Sequence, residues 1–261
     1  MDQNEQIQFL NHQLLADMPQ YKRDAQSFPQ SQAEQRRLLR SLMNLRPPMM
    51  LTEECIKAQD ALLSAEREEK GIVHANDLPS TSADERLVLW QGDITRLDAD
   101  AIVNAANSQM LGCFVPCHKC IDNAIHSAAG LQLREECAQL MREQGFDEPT
   151  GQAKITRGYN LPAKYVLHTV GPIIHGTVTE HDRELLASCY RSCLKLAAKK
   201  GLESVAFCCI STGEYHFPKQ EAAQIAVKTV KAFLQQNTTI RKVIFNVHSQ
   251  QNYEIYRKLL G

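Results

Sequence analysis

The sequence predicts an α/β protein with a largely parallel central sheet and a helical extension at its N-terminus. Three observations predict it. Short, near-continuous apolar runs such as RLVLWQ (86–91), YVLHTV (165–170), SVAFCCI (204–210) and VIFNV (243–247) have the length of strands buried on both faces. Longer amphipathic stretches separate them, the alternation that builds a sheet covered by helices. Before residue 80 such runs are missing, and only helical periodicity remains.

That first part contains three helices. Gln3–Asp17 is one, Gln32–Leu45 a second with Leu38, Leu39, Leu42 and Leu45 along one face, and Thr52–Glu69 a third. Phe28-Pro29 and Pro47-Pro48 separate them, because proline restricts itself and the residue before it. HANDLPSTSADE, from His74 to Glu85, is rich in turn formers and reads as a linker. Residues 1–78 are therefore taken as a helical extension and 79–261 as the α/β domain. In the latter, strands at 86–91 and 101–104 precede a helix over 123–140. A strand at 165–170 is followed by a helix over 181–200 and a strand at 204–210. A helix over 219–236, a strand at 243–247 and a last helix over 253–260 complete the pattern.

A net charge of −1 over 261 residues, without a long lysine or arginine block, disfavours binding to nucleic acid as a polymer. The nine cysteines lack the spacing of a disulfide framework and read as reduced thiols. No run approaches the roughly 18 apolar residues that span a bilayer, and no signal peptide opens the chain, so the expected location is the cytoplasm.

In open, mostly parallel sheets, ligands sit beyond the carboxyl ends of the strands, which directs attention to four segments. Gln91-Gly92-Asp93-Ile94-Thr95 places a carboxylate directly after a strand, either to take an exocyclic amino group or to satisfy local backbone amides as a turn aspartate. Asn104-Ala-Ala-Asn107 offers uncharged donors and acceptors among small residues, with Asn107 either fixing a sugar hydroxyl or shaping a turn. Ser211-Thr212-Gly213-Glu214-Tyr215, ahead of a helix starting near Pro218, offers successive backbone N–H groups to an anion or simply caps that helix.

The fourth segment packs Cys113, Cys117, His118 and Cys120 into eight residues. Thiolates and imidazole suit Zn²⁺, and three protein ligands leave a fourth position for water or substrate. The ligands are too close together for the two separated pairs of a zinc finger. Adjacent residues seldom point at one ion, so Cys113, His118 and Cys120 are preferred over Cys117, with one Zn²⁺ per chain. The competing reading is a set of inert thiols beside a surface histidine.

Taken in order, QGDIT, NAAN, the 122–130 segment DNAIHSAAG, TGQAKITRGYNLPAKYVLHTVGP and ISTGEY resemble a macrodomain, the ADP-ribose-binding fold. The resemblance covers roughly residues 86–260 and implies a three-layer α/β/α architecture with a mixed, largely parallel sheet. It is nearest the MacroD-type branch, whose members hydrolyse ADP-ribose from modified proteins. The chain departs from that branch where GCFVPCHKC (112–120) replaces the usual glycine-rich run. In this it is similar to zinc-dependent macrodomains of microbial pathogens, which also carry an N-terminal helical extension.

The resemblance assigns Asp93 to the adenine amino group, Ile94 to a neighbouring backbone contact and Asn107 to the distal ribose. It places Ser211, Thr212, Gly213, Glu214 and Tyr215 around the diphosphate and ribose, and Asp122 on the scissile side, although Asp122 also reads as a helix N-cap. Asn107 and Asp122 are thus the catalytic candidates. His126 and His168 read as satisfied core histidines. His216 and Phe217 depart from the family's pattern, leaving the cover of the diphosphate open.

The implied activity is zinc-dependent release of mono-ADP-ribose from proteins. The alternatives are a non-catalytic ADP-ribose reader with structural zinc and an O-acetyl-ADP-ribose deacetylase. The implied partners are an ADP-ribosylated protein, with a lipoylated carrier like the glycine cleavage H protein as one candidate, and a sirtuin-like ADP-ribosyltransferase as functional counterpart.

Overall fold

The apolar runs form the interior of a seven-stranded sheet in a computed structural model that describes residues 1–261. The chain starts with helices α1 (Gln3–Asp17), α2 (Lys22–Ala25), α3 (Gln32–Leu45) and α4 (Glu53–Lys70). Strands β1 (Val73–His74), β2 (Ser80–Thr81), β3 (Asp84–Gln91), β4 (Leu97–Asp98) and β5 (Ala101–Ala105) follow, then helices α5 (Ile121–Ala129) and α6 (Leu131–Gln144). The remainder is β6 (Ala153–Arg157), β7 (Tyr165–Thr169), α7 (Glu180–Lys199), β8 (Ser204–Phe207), α8 (Lys219–Gln236), β9 (Lys242–Val247) and α9 (Gln250–Leu260).

The sheet runs β2-β3-β9-β8-β5-β7-β6, with β2 and β6 antiparallel at the two edges and the five central strands parallel. Helices α7, α8 and α9 pack successively along one face, and α5 and α6 contact β5 and β6. Val103, Val166, Val205 and Ile244 of the central strands are fully buried, as strands covered on both faces require. This is the three-layer α/β/α arrangement with a mixed, mostly parallel sheet.

The N-terminal helices have a core of their own. Ile7, Leu10 and Leu14 of α1 meet Leu38, Leu39 and Leu42 of α3 and Leu62 of α4, and Leu131 of α6 completes the cluster. Each such leucine contributes roughly 1.5–3 kcal/mol by leaving water. The helices start at side-chain caps, Asp2 with Glu5 on α1 and Thr52 on α4. The sharing of Leu131 fixes the extension to the α/β domain beside α5 and α6.

Three elements differ from the sequence expectations. The helix read over 123–140 is two helices, because Gly130 adopts φ +100° and redirects the chain between α5 and α6. The polar stretch 74–85 is not a loose linker: β2 forms the sheet edge, β1 pairs with β4, and Lys242 Nζ donates to the Ala75 carbonyl at 2.9 Å. Backbone pairing at an edge needs no apolar side chains, so composition concealed it. The strand read over 204–210 ends at Phe207, and Cys208–Ile210 leaves the sheet to enter the cleft loops. No helix is long and apolar enough to cross a membrane.

Candidate functional site

The loops leaving β3, β5, β7, β8 and β9 open on one cleft of about 780 Å³. Its size lies within the roughly 300–1,000 Å³ of ligand pockets, and its position is that of the ligand crevice in open α/β sheets. Asp93, Ile94, Asn107, Cys113, His118, Cys120 and Asp122 line it, together with Ser211 through Tyr215. The structure thus brings every candidate from the sequence to one cavity.

The loop after β8 forms an open row of donors. Ser211 sits at φ +62°, and the Phe217 N–H closes the turn onto the Ser211 carbonyl at 2.9 Å. The backbone N–H groups of Ser211, Gly213, Glu214 and Tyr215 bond nothing within the chain. These unpaired amides, close together in one loop, are the kind of donor that an anion cradle uses. The Ser211 Oγ is buried without a partner and faces Gly171 so closely that a Cβ there would lie 2.0 Å away. Phe217, 1% exposed, belongs to the core and does not cover the cradle.

Asp93 and Asn107 both use their side chains locally. Asp93 Oδ1 accepts from the Thr95 N–H at 3.0 Å and the Thr95 hydroxyl at 2.7 Å, so one oxygen serves the turn and the other bonds nothing in the chain. Asn107 donates to the Gly112 carbonyl at 3.1 Å and accepts from the Gln109 N–H at 3.1 Å. It therefore shapes the turn into the cysteine loop while lining the cleft.

Asp122 lies in the first turn of α5, but it is not the cap: the Cys120 sulfur accepts the Asn123 N–H at 3.4 Å and caps the helix. Asp122 is 5% exposed, and its carboxylate accepts from Asn104 Nδ2 at 2.7 Å. Burial raises its pKa to about 6, against the lowering effect of the Asn104 hydrogen bond and the Arg134 charge. Asn104 also contacts His168 Nδ1 at 3.2 Å, and His168 Nε2 meets the Thr156 hydroxyl at 2.9 Å, so His168 is a satisfied core histidine. His126 is not, since neither ring nitrogen has a hydrogen-bond partner. Its Nε2 lies 3.5 Å from Asp122 Oδ1, yet burial and the neighbouring His168 and Arg134 charges push its pKa well below the usual value. The contact is therefore with a neutral ring and is no ion pair.

The cysteine loop converges on a point. The ligand atoms of Cys113, His118 and Cys120 all lie within 4.8 Å of one another, and Cys113 Sγ is 3.7 Å from His118 Nδ1. Tetrahedral zinc at bond lengths of about 2.3 Å to sulfur and about 2.0 Å to nitrogen separates two such ligands by roughly 3.6 Å. Donor chemistry and spacing both fit the ion. Burial and the adjacent Cys113 push the Cys120 thiol up to about 12 despite the Asn123 N–H. Cys117, at φ +52°, turns its sulfur away toward Ser41 Oγ at 3.3 Å.

Arg40 and Gly171 also line the cleft, Asn104 supports Asp122 from behind it, and none of these roles was read from the sequence. For Asn104 the signal was present: an amide inside an apolar strand needs a buried partner. For Arg40 there was none, since its neighbours lie about eighty positions away.

These features define an α/β protein with a ligand cleft at the carboxyl ends of its parallel strands. The chain belongs to the macro domain family. The family model described as "Macro domain" matches residues 103–226. A protein of Treponema medium named protein-ADP-ribose hydrolase is 50% identical over 263 residues, covering 100% of both chains. One of the same name from Staphylococcus aureus strain MSSA476 is 50% identical over 222 residues, 85% of this chain and 83% of that one. A Fusarium oxysporum protein named probable bifunctional ADP-ribose hydrolase/ADP-ribosyltransferase is 44% identical over 246 residues, covering 86% of this chain but 40% of its own length. Among solved structures, a Trypanosoma brucei macrodomain in complex with ADP-ribose superposes with a TM-score of 0.66 at 33% identity, over 85% of this chain and 95% of that one. An Oceanobacillus iheyensis macrodomain with ADP gives 0.60 at 40% identity, over 66% and 88%.

Proposed function

We propose that this protein is a hydrolase that removes mono-ADP-ribose from modified protein side chains, with one Zn²⁺ held by Cys113, His118 and Cys120. One observation carries the reading: the two thiols and the imidazole converge in the same cleft as the unpaired amides of the Ser211–Tyr215 loop and the buried Asp122 carboxylate. A diphosphate, a sugar and a reacting carbon need those three neighbours. The names of the Treponema medium and Staphylococcus aureus relatives support hydrolysis as the activity.

Binding follows from groups the chain already presents. The four amides between Ser211 and Tyr215 receive the diphosphate, and Tyr215 covers the attached ribose. The oxygen of Asp93 that Thr95 leaves free takes the adenine amino group, with Ile94 beside it. Asn107 holds the turn that sets the cysteine loop next to the distal ribose. Asp122, steadied by Asn104, positions water or accepts its proton. Bound zinc would supply Lewis acidity to a ribose oxygen or to water, weakened by the charge of two thiolates. The substrate is an ADP-ribosylated protein, and a lipoylated carrier like the glycine cleavage H protein fits the reading. The bifunctional name of the Fusarium oxysporum relative supports a transferase counterpart, here taken as sirtuin-like.

The test uses peptides ADP-ribosylated at defined residues, with and without a chelator, alongside calorimetry with ADP-ribose. Zinc removal verified by elemental analysis is expected to abolish release of ADP-ribose and leave its binding in place. Undiminished release by metal-free protein would overturn the metal's role, and binding without turnover on ester- and serine-linked substrates would leave a reader.

A further inference from the structure

We propose that helix α3 of the N-terminal extension positions the cysteine loop, acting through Asn44 and Arg40. The proposal rests on the zinc reading for its consequence in affinity, and on the structure alone for the clamp itself. A nine-residue loop rich in small and sulfur-bearing side chains cannot hold three ligands in place unaided, because its backbone carries polar groups that must find partners. Most of those partners lie outside the loop, and α3 supplies a large share.

Asn44 is 1% exposed, and both ends of its amide bond to groups outside α3. Its Oδ1 accepts the Cys117 N–H at 2.9 Å, and its Nδ2 donates to Ser127 Oγ at 3.0 Å. It therefore joins the middle of the loop to α5. Cys117 holds the left-handed conformation that a side chain adopts at a cost, and the Asn44 bond stabilises it there, one residue before His118. Arg40, one turn earlier on α3, donates to Asn123 Oδ1 at 2.9 Å and reaches the His118 carbonyl at 3.5 Å. Asn123 in turn donates to the Val115 carbonyl at 3.0 Å.

The far end of α3 is tied to the start of the loop as well. Arg134 of α6 donates to the carbonyls of Met43, Asn44 and Arg46 and, through Nε, to that of Leu111 at 2.7 Å. Its guanidinium lies 4.4 Å from the centre of the Phe114 ring. Loop, α3, α5 and α6 thus form one hydrogen-bonded unit. Neither Asn44 nor the carbonyl-binding face of Arg40 needs to touch substrate for this role, and both act through the loop. It gives the extension a function: without α3 the ligands at 113, 118 and 120 lose their frame.

Asn44→Ala and Arg40→Met are compared with Leu10→Ala, which loosens the extension's core away from the loop. Three quantities are read: the melting temperature, zinc affinity by competition with a chromogenic chelator, and hydrogen exchange of residues 111–120 in metal-free protein. The expected result for Asn44→Ala is a zinc affinity about 10- to 100-fold weaker, the usual cost of removing a group that orients a metal ligand. Faster exchange in 111–120 should accompany it, and Leu10→Ala should show neither at a matched loss of melting temperature.

Wild-type affinity and wild-type loop protection in a folded Asn44→Ala protein would overturn the proposal, as would equal weakening in Leu10→Ala. If Asn44→Ala fails to fold, the same readings on Arg40→Met decide. Should the wild-type chain bind no zinc, the metal reading falls separately, and loop exchange alone decides whether α3 acts as a clamp.

Discussion

Asn104 and Asp122 meet at 2.7 Å, the amide at the end of β5 donating to the carboxylate in the first turn of α5. Asn104 is fully buried, and its ring neighbour His168 is held by Thr156 of the edge strand β6. The orientation of a carboxylate in the cleft is therefore set from inside the sheet, through a side chain that no ligand reaches.

Removing that bond tests whether orientation matters to turnover. Asn104→Leu keeps the volume and takes away the donor, so ADP-ribose release is expected to slow about 10- to 100-fold, the value of a hydrogen bond to a charged group at roughly 1.5–3 kcal/mol. ADP-ribose affinity should hold, because the amide cradle is elsewhere. Single-turnover kinetics and calorimetry on the same preparation separate the two, and an unchanged rate would free Asp122 from dependence on its strand partner.

Much of this was legible in the sequence, because the parallel strands are buried on both faces and advertise it as apolar runs. The cleft candidates followed from the strand ends. The break at Gly130 was hidden because apolar residues at 125, 129, 133 and 137 keep helical spacing across it, and only the backbone angle divides α5 from α6. Edge strand β6, with Lys154 and Arg157, lacks the apolar signature since one side of an edge faces solvent. Arg40 and Asn44 look like the polar side of an amphipathic helix, and nothing local to α3 shows that the cysteine loop lies against them.

Gly171 sits where the β7 and β8 loops touch. A Cβ there would stand 2.0 Å from Ser211 Oγ and 2.9 Å from Ile210 Cγ2. Gly171→Ala must therefore turn the Ser211 hydroxyl and the Ile210 methyl away or shift the loop that carries them, with an overpacking cost of about 1–3 kcal/mol. A melting temperature several degrees lower is expected by differential scanning calorimetry, together with weaker ADP-ribose binding. A variant with wild-type affinity would show that the cradle tolerates displacement.

Acid stability has an identifiable contributor in Asp100. Burial alone would raise its pKa, but the Lys164 ammonium at 2.8 Å and the N–H groups of Glu203 and Ser204 outweigh it, and the net shift is downward. A carboxylate with a depressed folded pKa stabilises the fold above its unfolded value near 3.8 and loses that contribution as pH falls through the folded value. Asp100→Asn should melt below wild type at neutral pH, and the gap should close below about pH 4. Thermal melts across that range check it; a gap independent of pH would assign the loss to packing.

The cysteines of the loop should separate by the direction of their sulfurs. Cys117 points toward Ser41 and the Arg37 carbonyl, so Cys117→Ser replaces one hydrogen-bonding group by another and should leave zinc content and turnover unchanged. Cys120 has two tasks, since its sulfur belongs to the converging cluster and also caps α5. Serine is among the best N-cap residues, so Cys120→Ser preserves the start of the helix while offering a far poorer zinc ligand. That variant should fold with an intact α5 yet lose more zinc affinity than the roughly 10- to 100-fold that an outer hydrogen bond is worth. Elemental analysis with circular dichroism reads both properties, and a folded Cys120→Ser protein that keeps its zinc would exclude this sulfur from the metal site.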